Sequence, residues 1–250
     1  MTTQSQLLTT SVDLSAESAA TGGSTGLQAY TARTSGDDRL PGIVIVHEIF
    51  GVDDQARSFA HRLAEMGYLA VVPDLFTEGG PRRCLRATFS ALRSGEGRAF
   101  RDIAAARQYL LGREDCTGGV GIIGFCMGGG FALLCAAPER GFTVSSVNYG
   151  QLPEDPDVLR GACPIVASYG GRDRGLGGAA EKLDRKLTEF GVEHDVKEYP
   201  NASHAFLSTE LSGPWYLRPV LKIAGMGPRP EAAADAWRRI EAFFAAHLPR

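Results

Sequence analysis

One short segment contains residues whose types and spacing suit nucleophilic catalysis. The stretch Gly124-Phe125-Cys126-Met127-Gly128 has the spacing of a nucleophile elbow, G-x-S-x-G, with cysteine in place of serine. Apolar residues before Cys126 predict a buried strand, and those after it predict a helix. Only small residues fit beside so sharp a turn, and the N–H groups of a helix N-terminus favour a thiolate. We therefore expect Cys126 to be a nucleophile.

Two other interpretations of this segment remain to be weighed. Cysteine is among the most buried residue types, so Cys126 alone would fit a core position equally well. Gly119, Gly121 and Gly124 also spell G-x-G-x-x-G, the fingerprint of a dinucleotide site. That fingerprint must follow a strand and open a helix, whereas here the glycines belong to the strand itself. We predict no cofactor.

An acid and a histidine follow the elbow in the order that a catalytic triad requires. Asp173 comes after the predicted strand Pro164–Tyr169, and His204 comes after the predicted strand His194–Tyr199. Loops at the carboxyl ends of strands form the active sites of open α/β sheets. The four remaining histidines fit less well by position, and they are His47, His61, His194 and His247. The spacing therefore predicts a Cys126–His204–Asp173 triad.

The rest of the chain alternates between strand and helix patterns. Further strands are expected at Gly42–His47, Tyr68–Val72, Val120–Phe125 and Val144–Tyr149. Helices are expected through Met66 after a cap at Asp53 or Asp54, and at Arg98–Leu111, Met127–Ala137, Ala179–Phe190 and Ala232–Leu248. Such alternation predicts an α/β fold with a mostly parallel sheet and helices on both faces. Leu7–Leu14 and Leu27–Ala32 are expected to form a hairpin at the edge of that sheet.

The domain organisation follows from length and from local composition. At 250 residues, the chain fits one α/β domain over 1–250. Residues 1–28 form a polar N-terminal segment, and Pro73–Gly97, rich in Arg and Gly, is the least regular stretch and a candidate lid.

Charge and cysteine usage exclude several classes of partner and site. A net charge of −3 gives no electrostatic footprint for nucleic acid. No apolar stretch is long enough to cross a membrane, and no signal peptide is recognisable, so we expect a cytoplasmic protein. The five cysteines lack paired spacing. His47-Glu48 lacks the second histidine of a zinc H-E-x-x-H motif, so no metal site is predicted.

These motifs together resemble the dienelactone hydrolase family of α/β-hydrolases, over roughly Ala29 to Leu248. The resemblance is carried by Gly124-Phe-Cys126-Met-Gly-Gly, His47-Glu-Ile-Phe-Gly-Val52, Gly171-Arg-Asp173 and His204-Ala-Phe206. It implies an eight-stranded α/β-hydrolase core and the same Cys-His-Asp triad. It also implies that Glu48 contacts the resting thiol and helps it to become a thiolate. Without the resemblance, Glu48 fits an ordinary surface loop acid.

The predicted elbow also implies an oxyanion hole, and the resemblance bears on the substrate. Backbone N–H groups of Met127, after the nucleophile, and of Ile49, in the loop after the first long strand, are expected to form the oxyanion hole. Family members that act on dienelactone bind its carboxylate with arginines. Arg83, Arg86 and Phe206 are our candidate substrate contacts, although the arginines also fit a solvated face.

The chain departs from the family at the histidine loop. No arginine follows His204 closely, and Ser203 stands where the family usually has glycine. The expected function is hydrolysis of a small activated ester or lactone through an acyl-thioester, with no nucleic acid or membrane as partner. An acyltransferase or cyclase with the same acyl-enzyme, and a non-catalytic ligand-binding or thiol-sensing homologue, are the alternatives.

Overall fold

A computed structural model describes residues 6–210, 219 and 226–248. They contain an eight-stranded sheet in the order β1-β2-β4-β3-β5-β6-β7-β8. The strands are β1 (Leu7–Asp13), β2 (Gln28–Thr34), β3 (Leu40–Val46), β4 (Leu69–Pro73), β5 (Cys116–Phe125), β6 (Ser145–Asn148), β7 (Ile165–Gly170) and β8 (His194–Tyr199). Strand β2 runs antiparallel to both neighbours, and every other pair is parallel. The predicted mostly parallel sheet is confirmed.

Helices cover both faces of the sheet, as predicted. They are α1 (Ser15–Thr21), α2 (Asp54–Glu65), α3 (Pro81–Ser94), α4 (Arg98–Leu111), α5 (Met127–Leu134), α6 (Ala179–Phe190) and α7 (Pro230–His247). One core contains Ile103 of α4, Phe131 of α5 and Leu187 of α6. The other contains Phe59 of α2 and Trp237 of α7. The apolar sheet is buried between these two layers, which fixes where each strand ends.

Local signals set the helix ends that the sequence predicted best. The Asp53 carboxylate caps α2 by accepting a hydrogen bond from the Ala56 N–H at 3.0 Å. Gly191 ends α6 in the left-handed region at φ 66°. The strand before the elbow is longer than expected, because β5 begins at Cys116 and not at Val120.

The N-terminal strands pair as expected, but they are not joined by a simple hairpin turn. Strand β1 lies at the sheet edge and pairs antiparallel with β2, from Leu7 opposite Thr34 to Asp13 opposite Gln28. Between them the chain forms the short helix α1, which ends at Gly22 with φ 72°. The alanine-rich stretch after Leu14 favours helix over a turn. Residues 1–5 of the expected polar segment lie outside the described residues.

The expectation that 73–97 is the least regular stretch is wrong. It contains the 14-residue helix α3, with proline in its first turn and Gly95 at its C-cap. Cys84, Thr88 and Leu92 are buried on one side of α3. Prolines and glycines mark the ends of this helix rather than irregular chain. Its role as a lid stays a prediction.

A buried carboxylate holds the N-terminal segment against the domain. Asp102 of α4 is fully buried and accepts hydrogen bonds from the Ser24 N–H at 2.7 Å, the Ser24 hydroxyl at 2.7 Å and the Ser18 hydroxyl at 3.3 Å. Burial raises the pKa of Asp102 and outweighs these hydrogen bonds, which lower it. The contact joins α1 and the following loop to a helix nearly eighty residues downstream.

We predict that Asp102→Ala destabilises the fold by roughly 3 kcal/mol, because it leaves the buried donors of Ser18 and Ser24 without their acceptor. Urea unfolding measures the change in the free energy of unfolding. Asp37→Ala, at an exposed loop position, is the matched control. Equal stability of the two variants would contradict the role assigned to Asp102.

Candidate active site

Cys126 lies in a strained turn between β5 and α5. Its φ of 55° is in the left-handed region, which few non-glycine residues adopt. The turn is held by the adjacent strand, since the Cys126 N–H donates to the Asn148 carbonyl oxygen at 3.1 Å. Unlike the buried Cys84, Cys116 and Cys135, Cys126 is partly exposed. This geometry fits the predicted nucleophile elbow better than a core position.

The glycines of the elbow are required by close approach of main chain to main chain. A Cβ on Gly124 would overlap the carbonyl of Gly128, and one on Gly128 would overlap the carbonyl of Val46. A Cβ on Gly129 would lie 2.6 Å from the Asn148 carbonyl oxygen. The helix therefore packs directly on the ends of β3 and β6.

The predicted acid and histidine meet beside the elbow. The Nδ1 of His204 lies 2.5 Å from Oδ2 of Asp173, and the other carboxylate oxygen of Asp173 accepts from the Gly175 N–H at 3.0 Å. The two loops are joined by backbone, because the Arg172 N–H donates to the Ala202 carbonyl oxygen at 2.9 Å. The sequence-predicted residues Cys126, Asp173 and His204 thus lie together.

The imidazole of His204 is electrostatically adapted to carry a proton. Its burial favours the neutral form, but hydrogen bonds with Asp173 and Cys126, and the charges of both, raise the pKa of His204 to about 10. Since Nδ1 faces Asp173, Nε2 is the nitrogen left to exchange a proton with the thiol. The surroundings of His204 therefore favour its protonated form.

Glu48 is buried at this site, with 8% of its surface exposed. This burial argues against the alternative that Glu48 is an ordinary acidic residue of a surface loop. Burial raises the pKa of Tyr149, and the charges of Glu48 and Cys126 raise it further. The side chains of Glu48 and Cys126 therefore both influence the Tyr149 hydroxyl.

The backbone around Ile49 and Met127 leaves the sheet at one edge. Val46 of β3 pairs with Gly124 of β5, and each lies three residues before one of the predicted oxyanion donors. Gly128 packs against the backbone of Val46 and His47, which brings the two segments into contact. Ile49 is partly buried, and Met127 is buried at the first position of α5.

The positions of Arg83, Arg86 and Phe206 give little support to their predicted role as substrate contacts. Arg83 and Arg86 are exposed on α3, whose buried side carries Cys84, Thr88 and Leu92, so the solvated-face alternative fits both arginines. Phe206 is fully buried and its ring packs against those of Tyr149 and Tyr199, with centroids 5.7 and 5.0 Å away. Phe206 therefore packs beneath the loop that carries His204, in the core, and does not line an accessible surface.

Sequence reasoning missed Tyr149, which directly follows β6. Its backbone has φ 42°, and its ring packs on the imidazole of His204 with centroids 5.1 Å apart. Its hydroxyl is buried, and the side chain is 1% exposed. The usable signal was an aromatic residue at the carboxyl end of the strand between nucleophile and acid. The tyrosine limits how the imidazole can rotate.

Two motifs that the sequence offered as ligand sites can be located in the fold. The G-x-G-x-x-G match lies inside β5, where a Cβ on Gly121 would meet side chains of Leu248, Ile43 and Val144. Residues 6–210, 219 and 226–248 contain no cluster of three His, Cys, Asp or Glu side chains suited to a metal ion. Within the same residues, no helix is long and apolar enough to span a membrane.

Comparison with known proteins agrees with this fold. The model of the dienelactone hydrolase family matches residues 27–248. A carboxymethylenebutenolidase of Pseudomonas putida is 31% identical over 191 residues, which cover 69% of this chain and 78% of the relative. A dienelactone hydrolase-like promiscuous phosphotriesterase from metagenomic libraries superposes with a TM-score of 0.78 at 22% identity, over 97% of this chain and 99% of the other. Dienelactone hydrolase from Anabaena variabilis gives 0.68 at 17% identity, over 98% and 100%.

We predict a pH-dependent contribution of His204 to stability. Because the pKa of His204 is higher in the folded protein, at about 10, than its ordinary value of 6.5, protonation stabilises the fold. The contribution is complete below 6.5 and is lost as pH rises through about 10. The difference in unfolding free energy between wild type and His204→Gln, measured in urea, should therefore shrink across this interval.

The Asp173→Asn background provides the control for this measurement. Without the carboxylate that raises the pKa, His204→Gln should change stability with a weaker dependence on pH. A difference that stays constant with pH in the wild-type background would contradict the raised pKa of His204.

Proposed function

Because this chain belongs to the dienelactone hydrolase family, it is a carboxylic ester hydrolase, and we propose that it cleaves a small activated ester or lactone through Cys126. The observation that carries this proposal is a partly exposed cysteine in a left-handed turn, near an imidazole whose pKa it helps to raise and whose Nδ1 is hydrogen-bonded to a buried aspartate. These are the parts of a nucleophile activated by a base that a third group orients.

In the proposed acylation step, His204 holds the thiol proton on Nε2 and the Cys126 thiolate attacks the ester carbonyl carbon. The carbonyl electrons move to oxygen, and the N–H groups of Ile49 and Met127 stabilise that oxyanion. The intermediate collapses, the C–O bond breaks, and Nε2 gives its proton to the departing alkoxide. Asp173 keeps the imidazole in the required tautomer and orientation throughout.

Deacylation uses the same groups in reverse. His204, now neutral, takes a proton from water as the water oxygen attacks the thioester carbonyl. The C–S bond then breaks, which releases the carboxylic acid and restores the thiolate. With a lactone, the alcohol and acid products remain one molecule. The thiolate departs readily, so this chemistry suits activated esters and lactones better than amides.

The intact triad favours hydrolysis over a thiol sensor. A redox sensor needs an accessible low-pKa thiol, but it needs neither an aspartate nor a histidine in register with that thiol. The two loops that carry Asp173 and His204 are nevertheless cross-linked by backbone hydrogen bonds. We further propose a reducing, cytoplasmic location, because all five cysteines are free thiols.

We predict that Cys126→Ala lowers kcat/KM for a nitrophenyl ester by roughly a thousandfold or more, because it removes the nucleophile. Cys126→Ser should also be much less active, since this hydroxyl is far more weakly acidic than a thiol. Cys163→Ala, which removes a partly buried thiol with a pKa raised to about 12 by burial, is the matched control. Full activity of Cys126→Ala would rule out the mechanism, and activity gained by Cys126→Ser would rule out the need for a thiolate.

We predict that Glu48→Gln lowers kcat by roughly a hundredfold, because the buried carboxylate assists the transfer of the thiol proton to His204 and a neutral amide does so poorly. The fold should remain intact, as checked by circular dichroism and by unfolding. Glu65→Gln, at an exposed position of α2, is the control. Kinetics equal to those of wild type would reduce Glu48 to a structural loop acid.

A further inference from the structure

His47 is fully buried where β3 ends, and its imidazole joins two loops. Nδ1 lies 2.6 Å from the carbonyl oxygen of Glu48, and Nε2 lies 3.2 Å from the Leu75 backbone N–H. A backbone N–H can only donate, so Nε2 accepts and the ring proton is on Nδ1. Burial lowers the pKa of His47, which agrees with this neutral tautomer. Both ring nitrogens are therefore committed to backbone.

The loop on the Nδ1 side is the one that carries the proposed oxyanion donor. The Glu48 carbonyl oxygen also accepts from the Gly51 N–H at 3.3 Å, which closes a turn over residues 48–51. Ile49 lies inside that turn. The His47 ring thus holds the first carbonyl of a turn whose next N–H must point at the reacting oxygen.

The loop on the Nε2 side provides a rigid anchor. It follows β4, and the Asp74 carboxylate fixes its start by accepting from the Phe76 N–H at 2.9 Å. The Phe76 ring meets the His47 ring edge-on, with centroids 4.9 Å apart, and Phe76 also lies against Gly51. The His47 imidazole is therefore held both by its hydrogen bonds to backbone and by the ring of Phe76.

We propose that His47 is a positioning residue that sets the direction of the Ile49 N–H in the oxyanion hole by tying the 48–51 turn to the loop after β4. This inference rests on the proposed function. An oxyanion hole acts only if its donors point at the transition-state oxygen, so a small displacement of the turn lowers kcat more than substrate binding. The backbone of His47 also contacts Gly128 of α5. The same contact therefore positions both the 48–51 turn and the helix that follows Cys126.

The experiment compares His47→Gln, His47→Asn and the control His61→Gln. A glutamine amide reaches toward the Nε2 position and leaves the Glu48 carbonyl without its partner, whereas an asparagine amide lies near Nδ1 and keeps that donor. His61 is a partly buried histidine bonded to Tyr30. Each variant is assayed for the acylation burst with a nitrophenyl ester, for inhibition by a trifluoromethyl ketone, and for the pH dependence of Cys126 alkylation by iodoacetamide.

For His47→Gln we expect the acylation rate to fall roughly tenfold to a hundredfold, with KM little changed. Affinity for the ketone, whose thiolate adduct carries the same oxyanion, should weaken by a similar factor. The alkylation profile should match that of wild type, because the thiol and His204 are untouched. His47→Asn should recover part of the rate, and His61→Gln should behave as wild type.

The inference fails if His47→Gln acylates at the wild-type rate, if its alkylation profile shifts, or if His47→Asn is impaired as much as His47→Gln. It also fails if ketone affinity is unchanged while the rate falls. Failure of the proposed function is a different result, because wild type would then give no acylation burst that depends on Cys126.

Discussion

The site depends on the direct packing of the α5 backbone against the ends of two strands. Cys126 can face the site at φ 55° because Gly128 approaches the Val46 carbonyl and Gly129 approaches the Asn148 carbonyl. These contacts leave no room for a Cβ, so the helix cannot shift without breaking the strand ends. Strand β3 leads directly to the Glu48–Gly51 turn, and β6 leads to Tyr149. Cys126, the Glu48–Gly51 turn and Tyr149 are therefore positioned by one set of main-chain contacts.

Two histidines near this packing illustrate how surroundings decide the use of one side chain. His204 gains a buried carboxylate on Nδ1, and its pKa rises to about 10. His47 is bonded on both nitrogens to backbone, and burial lowers its pKa. The first ring is suited to hold and release a proton. The second is suited to remain neutral and hold chain segments in place.

Local sequence patterns predicted the elbow and the order of the acid and the histidine, because each of these signals lies within a short run of neighbouring residues. Gly124 and Gly128 flank Cys126 at fixed spacing, and Asp173 and His204 each follow a recognisable strand. Helix α6 and strand β8 were predicted with their observed bounds for the same reason. The contacts of His47 with Leu75, of Tyr149 with His204 and of Asp102 with Ser24 join residues far apart in the chain. No periodicity encodes such pairs.

Helix α3 was missed for a different reason. Its boundaries carry glycines and proline, and its middle carries arginines, which together are typical of exposed loops. Only the spacing of Cys84, Thr88 and Leu92 marks a buried side, and three positions are a weak signal among polar neighbours. Burial against α4 and α5, rather than strong local propensity, accounts for this helix.

The glycine contacts at the elbow also bear on how such a protein can diverge. Cys126 is held in place by backbone carbonyl and N–H groups, which every sequence supplies, and by the absence of side chains at Gly124, Gly128 and Gly129. Side chains on the surrounding loops and on α3 can therefore be exchanged without moving Cys126. Substitutions that adapt the protein to a new ester can therefore change the side chains around the site while Cys126 keeps its position. Specificity can diverge in this way without loss of catalytic activity.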